Sequence, residues 1–264
     1  MTRTEGTRSL LKSLQLLETV AGGLHDLDGI VAATRLPRST AHRLLSTLVS
    51  RRYLRHHPGD GYRLGPQLIE LGFAAQGQLH LSKVARPHME QLARTTSETV
   101  HLAVLDGLDV IYIDKVPGSR GLLMASTIGA RAPAQTTALG KVLVAGLPRA
   151  EWRGRFDPAA RRTANAIADE DAYLAVLDRC AATGYAEDRE ENERGVRCIG
   201  VPIREASGKV IAALSVSGAS VYLTDERLGE IRSLALATAS IVSAELGWRS
   251  AGERAPSGAA PGAS

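Results

Sequence analysis

LPRSTAHRLLSTLVSRRYLRHHPGDGYRLG, Leu36–Gly65, combines a polar helix start, an amphipathic helix and a basic hairpin in one short stretch. Leu44, Leu45 and Leu48 recur at helical spacing, so one face of this helix is expected to be apolar. Pro37 fits just inside the helix start, where its missing N–H matters little. The segment therefore predicts a helix that presents polar and cationic side chains away from a small core.

The flanking sequence extends this helix into a recognisable motif. Leu27, Ile30 and Val31 predict a shorter helix upstream, which ends before Pro37 because a residue that precedes proline avoids the α region. Downstream, two short β-like runs at 53–55 and 62–64 are separated by the turn-rich loop 56–61. With a further amphipathic helix at 9–21, this order predicts a winged helix-turn-helix domain over residues 5–65.

The polar side chains of this domain suit DNA recognition. Arginine can bind guanine bidentately, and serine, threonine and histidine can reach base edges or phosphates. The base-proximal candidates, at the start of the second helix of the motif, are Arg38, Ser39, Thr40, His42 and Arg43. The candidates for phosphate contacts, which add salt-dependent affinity without sequence choice, are Arg51, Arg52, Arg55 and Arg63. The alternative is the solvated surface of a small helical domain.

Charge distribution favours the DNA interpretation. Residues 1–65 carry ten Lys or Arg and five Asp or Glu, a net charge of +5, whereas the remaining residues sum to −1. All of the excess positive charge therefore lies in the predicted winged domain, as expected for a segment that binds a polyanion.

The rest of the chain predicts a second domain. Residues 66–80 favour a helical linker, and residues 81–248 alternate predicted strands, at 100–116, 196–203 and 210–218, with helices. Pro87 is expected to distort or restart the helix that contains it. Residues 249–264 are small, polar and proline-punctuated, which predicts a disordered tail. The fold class is α+β.

Composition narrows the function classes. No apolar run is long enough to span a bilayer, and the first residues lack the apolar core of a secretion signal, so a cytoplasmic protein is expected. Cys180 and Cys198 match no metal-ligand spacing and do not require a disulfide, so reduced thiols are expected. Neither a metal nor a cofactor is predicted.

Taken together, the motifs of both halves resemble the IclR family of transcription regulators over residues 5–248. In the first half they are LPRSTAHRLLSTLVSRRYL and GYRLGPQLIELG; in the second they are TVHLAVLDG, PAQTTALGK and ERGVRCIGVPIREASGKVIAALSVSG. The resemblance implies a winged helix-turn-helix domain joined to a GAF-like α/β domain that binds a small effector. It also implies a dimer or tetramer that binds a double-stranded DNA operator. The family includes repressors and activators, and we expect a repressor.

The resemblance also implies an effector pocket. Its predicted members are Leu123, Met124, Gly129, Ala130, Asp188, Cys198, Ser215 and Ser217. The backbone N–H groups of Gly129 and Ala130 are expected to bind an oxyanion, and the two serines lie on one side of a strand. A mostly apolar cavity with a few polar anchors would suit a small organic acid or an aromatic metabolite. Where the family often has a histidine before TALGK, this chain has Gln135.

Four of the predicted pocket residues have a structural alternative. Asp188 lies in a run of charged residues, which is usually a solvated face, and a single cysteine such as Cys198 is more often a small buried apolar residue. The two serines could bond only the neighbouring backbone.

No enzymatic activity is expected. The competing hypothesis is a GAF-like thiol enzyme or redox sensor that uses Cys198, which would need an adjacent base or cation. Arg197 is adjacent in sequence but should point to the opposite face of the strand. His101 could approach only through tertiary contacts.

Overall fold

The structure is a computed structural model, which describes residues 5–78, 80–120 and 126–249. Its internal contacts divide these residues into two compact units, the first extending to Gln78 and the second running from His80 to Arg249. The predicted pocket residues Leu123 and Met124 lie outside the described residues, and so does the predicted tail from residue 250 onward. None of the helices in the described ranges is long and apolar enough to cross a bilayer.

The first unit is the predicted winged helix-turn-helix. Its elements are α1 (Glu5–Ala21), α2 (Leu27–Thr34), α3 (Arg38–Ser50), β1 (Leu54–His57), β2 (Gly61–Leu64) and α4 (Pro66–Gln78). The helix α4 covers residues 66–78 of the helical linker predicted at 66–80, and it belongs to the first unit by its contacts.

A small apolar core joins these elements. Leu16 of α1, Ile30 of α2, Leu45 of α3 and Leu54 of β1 are all fully buried in one cluster. The turn between α2 and α3 passes through Arg35, whose φ of 56° ends α2 in the left-handed region. Pro37 precedes the first helical residue of α3 as its N-cap, rather than lying inside the helix as predicted.

The wing is anchored to the loop that precedes α2. The strands β1 and β2 pair antiparallel, with Arg55 opposite Arg63. The backbone N–H of Tyr62 donates to the carbonyl of His25 at 2.8 Å. Gly61 makes this approach possible, because its φ is +72° and a Cβ there would lie 2.2 Å from the His25 oxygen. The hairpin is therefore also held near its turn, by Gly61 and Tyr62, and not only where its strands join the neighbouring helices.

The second unit is a six-stranded antiparallel sheet between two pairs of helices. Its elements are α5 (Leu81–Thr96), β3 (Thr99–Asp106), β4 (Asp109–Val116), β5 (Arg131–Pro133), α6 (Ala138–Ala145), α7 (Glu170–Thr183), β6 (Ala186–Arg189), β7 (Val196–Arg204), β8 (Val210–Ala219) and α8 (Asp225–Glu245). The strand order is β5-β4-β3-β8-β7-β6. Contrary to the expectation from Pro87, α5 continues through that residue without restarting.

Strand alternation separates the two faces of the sheet. On β8, Leu214 and Val216 face the core that α5 and α8 cover, whereas Ser215 and Ser217 face the side of α6. The N-terminus of α6 lies directly on β7 at Gly200, where a Cβ would come within 2.5 Å of the Ala138 carbonyl oxygen. The strands β5 and β6 were not predicted, because both are short and lack a run of apolar alternation.

Candidate functional site

The exposed face of α3 is polar along its whole length. Its members recur every three or four residues and are Ser39, His42, Arg43, Ser46, Thr47 and Ser50. The opposite face, which packs into the core, consists of Ala41, Leu44, Leu45 and Leu48. This division presents a continuous strip of donors and acceptors to solvent, as a helix that enters the major groove requires.

The base-proximal candidates do not lie equivalently on this helix. Ser39, His42 and Arg43 lie at the centre of the exposed face. Arg38 is exposed but forms an ion pair with Asp28 of α2, and Thr40 is half-buried. The structure thus brings three of the five candidates to the centre of one surface and places two at its edges.

The phosphate candidates fall into two groups. Arg51 and Arg55 are exposed and form no ion pair with any residue in the described ranges. Arg52 pairs with Glu70 of α4 at 2.7 Å. Arg63 pairs with Asp60 in the wing, with 3.2 Å between Nε and Oδ2, and this pairing lowers the pKa of Asp60. Arg51 and Arg55 are therefore the readier phosphate ligands.

No acidic residue interrupts this surface in sequence. Between Asp28 and Asp60 the chain contains six arginines and neither Asp nor Glu. The helix α3 and the strand β1 both lie in this interval. The exposed face of α3 and the adjoining strand therefore carry only positive formal charge.

A cavity of about 150 Å³ lies on the α6 side of the sheet in the second unit. Five predicted effector residues line it, namely Ala130, Asp188, Cys198, Ser215 and Ser217. Gly129 precedes Ala130 but does not line the cavity. The structure thus brings residues from β6, β7 and β8 to one place, as the resemblance implied.

Side chains of three adjacent strands form one wall of this cavity. His101 of β3 lies opposite Ser215, and Ser217 lies opposite Cys198 of β7. The His101 Nε2 lies 2.7 Å from the Ser126 hydroxyl, and its Nδ1 lies 3.5 Å from the Ser217 hydroxyl. Burial, together with the nearby Lys115 charge, lowers the pKa of His101 to about 3. This imidazole is therefore neutral at physiological pH.

Asp188 is buried in the cavity wall and not solvated, so the alternative of an exposed charge run is wrong for this residue. It is 2 % exposed. Its Oδ1 accepts backbone hydrogen bonds from Glu191 at 2.7 Å and from Asn192 at 3.4 Å. Burial raises the pKa of Asp188 to about 7, although the nearby Lys141 and these hydrogen bonds act in the opposite direction.

A buried ion pair supports the turn that follows β6. The Lys141 Nζ lies 2.5 Å from Glu191 Oε1 and donates to the Glu187 carbonyl at 2.8 Å. Because the backbone N–H of Glu191 donates to Asp188, the position of the Asp188 carboxyl depends on this pair. Lys141 itself does not line the cavity.

One expectation about the pocket chemistry is wrong. The backbone N–H groups of Gly129 and Ala130 already donate to the carbonyls of Tyr112 and Thr127, at 2.8 and 3.0 Å, and so are not free for an oxyanion. The tight turn around Gly129, whose φ is +87°, directs them there. Apolar atoms contribute somewhat more of the cavity lining than polar atoms do, and hydroxyl, imidazole, amide and carboxyl groups supply the polar part.

Cys198 does not have the environment of a reactive thiol. Burial raises its pKa well above the ordinary value, so the thiolate is disfavoured. Arg197 points to the other face of the strand, as predicted, and bonds Asp225 and the Leu223 carbonyl. Among the described residues both cysteines are free thiols. The thiol-enzyme hypothesis gains no support from these contacts.

Sequence reasoning missed several cavity residues. His101, Tyr112, Arg162 and Asn192 line the cavity but were not among the predicted site residues. Strand alternation could have identified His101, since it shares a face with Ala103 and is flanked by the core residues Val100 and Leu102. No local pattern marks Arg162 or Asn192, which lie outside helices and strands.

Gln135 has a structural role in this chain. Its Nε2 donates to the Asp157 carbonyl at 2.9 Å, and its Oε1 accepts from the Asp157 N–H at 2.7 Å. It does not line the cavity. The glutamine found here in place of the histidine therefore bonds a neighbouring loop at Asp157.

Comparisons with known proteins agree with the fold. The family model described as bacterial transcriptional regulator IclR, C-terminal, matches residues 73–244, and the IclR helix-turn-helix model matches residues 9–58. The HTH-type transcriptional regulator XynR of Escherichia coli (strain K12) is 37% identical over 246 residues, which cover 91% of this chain and 98% of XynR.

Two proteins described as repressors are also similar to this chain. The DNA-binding transcriptional repressor YiaJ of Escherichia coli (strain K12) is 32% identical over 259 residues, covering 93% of this chain and 90% of YiaJ. The crystal structure of the Agobacterium tumefaciens repressor BlcR superposes with a TM-score of 0.77 at 26% identity, covering 92% of this chain and 98% of BlcR. The chain belongs to the IclR family of bacterial transcriptional regulators.

Proposed function

We propose that this protein is a transcriptional repressor whose affinity for its operator changes when a small hydroxylated carboxylic acid binds in the cavity of the second unit. The observation that carries the DNA-binding part is the uninterrupted polar face of α3, with Ser39, His42 and Arg43 at its centre and no acidic residue nearby in sequence. Similarity to YiaJ and BlcR favours repression over activation. Such a protein would act in the cytoplasm, where its operator DNA lies.

The size and lining of the cavity support the effector class. A volume of about 150 Å³ suits a small molecule, and the polar groups in the lining favour an acid that carries hydroxyl groups. The buried wall offers hydroxyl groups from Ser215 and Ser217, a neutral imidazole from His101 and the Asp188 carboxyl. A ligand that carries hydroxyl groups can satisfy these buried polar side chains, whereas an apolar ligand would leave them unpaired.

The proposal is tested by DNA binding with and without ligand. Purified protein is titrated against labelled DNA from upstream of its own coding region and against shuffled DNA of the same length. The proposal expects tighter binding to the upstream DNA, and a shift in that affinity on addition of a small hydroxycarboxylate. Equal affinity for both DNAs over a range of salt concentrations would contradict the operator-binding part. An affinity that no hydroxycarboxylate changes would contradict the effector part.

The sign of regulation needs a separate measurement. A reporter gene under the upstream promoter is compared in cells that contain and cells that lack the protein. Higher reporter expression without the protein is expected of a repressor. Lower expression would show an activator and would leave the operator-binding result unaffected.

We also propose that the protein acts as a homodimer through α1. Leu10, Leu11 and Leu14 of this helix are 60%, 43% and 45% exposed, although the opposite side of the helix packs into the core through Leu16. One short recognition helix contacts too few bases to select a site in a genome, so two copies are needed. A second copy of this chain is therefore the proposed occupant of the exposed leucines.

A further inference from the structure

Among the described residues, two cationic side chains line the cavity of the second unit, and one of the two forms no ion pair. Arg131 lines the cavity, but its guanidinium pairs with Asp106 at 2.7 Å and with Asp109 at 3.1 Å. Arg162 also lines the cavity, is exposed, and forms no ion pair or hydrogen bond with any residue in the described ranges. An anion that reaches the cavity therefore meets an unpaired guanidinium at the rim.

The buried end of the cavity has the opposite character. Its side chains are Asp188, Ser215, Ser217 and the neutral His101, none of which is cationic. The backbone N–H groups of Gly129 and Ala130 are occupied by carbonyls of the chain. The ammonium groups whose charges act on this wall already have partners, since Lys115 donates to the Ser126 carbonyl and Lys141 pairs with Glu191. An anionic group placed at this end would lie near the Asp188 carboxyl, which is costly in a buried site.

We propose that the effector binds with its carboxylate outward, on the Arg162 guanidinium, and with its hydroxyl groups inward, on Asp188 and the serines of β8. This inference rests on the proposed small hydroxylated acid and adds its orientation. Arg162 is then a specificity-determining residue, which selects acids over neutral polyols of the same shape. The orientation is the reverse of the one in which Gly129 and Ala130 hold the carboxylate.

Glu193 provides a second test of the same arrangement. It also lines the cavity, is exposed and forms no ion pair with a described residue. Its negative charge at the rim opposes an outward carboxylate. Removal of this charge should therefore strengthen the binding of an acid, while removal of the Arg162 charge weakens it.

The experiment is calorimetric titration of the full chain with glycolate, D-glycerate and D-gluconate, each compared with its uncharged amide. The variants are Arg162→Gln and Glu193→Gln. The matched control is Arg161→Gln, because Arg161 is also exposed and is adjacent in sequence, but bonds the Ala164 carbonyl and does not line the cavity. Thermal unfolding of each variant checks that the fold is retained.

We expect at least one acid to bind more tightly than its amide. Arg162→Gln should weaken the binding of that acid by about tenfold and leave the binding of its amide unchanged. Glu193→Gln should strengthen the binding of the acid. Arg161→Gln should change the binding of neither ligand. The proposed orientation is wrong if Arg162→Gln leaves acid binding unaltered, or if the amides bind as tightly as the acids. Either result would still be compatible with an effector site in this cavity. If no acid binds the wild type, the proposed effector class fails, and the orientation fails with it.

Discussion

At the scale of single residues, burial decides which charged side chains have a functional position. Glu187, Asp188 and Arg189 are consecutive, but β6 alternates, so Asp188 turns inward while Arg189 stays exposed. Asp188 therefore lines the cavity, and Arg189 pairs with Glu187 at 2.6 Å. Composition alone does not distinguish these charged residues, whereas the alternation of β6 buries Asp188 and exposes Arg189.

Asp188→Asn should change how stability depends on pH. Burial raises the pKa of Asp188 from 3.8 to about 7, so the native state binds more protons than the unfolded state between these values. The wild-type contribution is fully present below the lower value and is lost as the pH rises through about 7, by at most about 4 kcal/mol. The free energy of unfolding, measured with urea at pH about 5 and about 8, should fall less between these two pH values in the variant than in the wild type. Asp171→Asn, at an exposed position on α7, is the control and should behave as wild type.

Lys141→Met should destabilise the second unit strongly. Removal of the ammonium leaves the Glu191 carboxylate buried without its charged partner, and such a change costs about 3–5 kcal/mol. The double variant Lys141→Met with Glu191→Leu should recover most of that loss, because neither charge remains buried. Chemical denaturation of both variants measures the difference. A double variant less stable than Lys141→Met would show that the pair contributes through something other than its charges.

At the scale of secondary-structure elements, α3 and the wing should contribute differently to DNA binding. The exposed side chains of α3 can reach base edges, whereas Arg55 on β1 lies on an extended strand beside Arg63. Base-edge contacts carry sequence choice, and phosphate contacts carry salt-dependent affinity. The paired Arg63 should matter less than the unpaired Arg55.

Arg43→Ala and Arg55→Ala should therefore have distinguishable effects. Arg43→Ala should weaken binding to the upstream DNA by about 1–3 kcal/mol and reduce its preference over shuffled DNA. Arg55→Ala should weaken binding to the upstream DNA and to the shuffled DNA alike. It should also reduce the slope of log affinity against log salt concentration by about one. Arg179→Ala, an exposed arginine on α7, controls for net charge. A loss of preference caused by Arg55→Ala alone would reverse the assigned roles.

At the scale of the whole molecule, the exposed leucines of α1 are apolar side chains that one copy of the chain leaves in contact with solvent. They lie in the unit that binds DNA, so an association there would also pair two α3 helices. Pairing would match an operator with two half-sites.

Leu14→Lys should shift the protein towards monomer and weaken operator binding together. A charge at a buried apolar contact between copies is costly, but at a solvent-exposed position it leaves the monomer intact. Sedimentation equilibrium measures the association, and thermal unfolding checks the fold. Ile241→Lys on α8, which is also exposed, tests whether the second unit contributes. Unchanged association in the Leu14 variant would place the interface elsewhere.

The sequence by itself determined the first unit, because its structure depends on local patterns. Helical spacing of leucines, a proline at the start of α3 and turn residues in the wing act within a few residues of one another. The strands β3, β4, β7 and β8 were predicted for the same reason. The helix α5 was predicted as well, although the effect of Pro87 was not.

Only the tertiary structure decided the chemistry of the cavity. His101, Asp188 and Ser217 come from three strands that are distant in the chain, and Arg162 comes from a loop without a local pattern. The sequence could name the serines and Asp188 through the family resemblance, but not the occupation of the Gly129 and Ala130 N–H groups. Hydrogen-bond partners, burial and the resulting pKa values depend on which side chains come into contact across the sheet. Local spacing in the sequence does not determine these contacts, because they join residues that are distant in the chain.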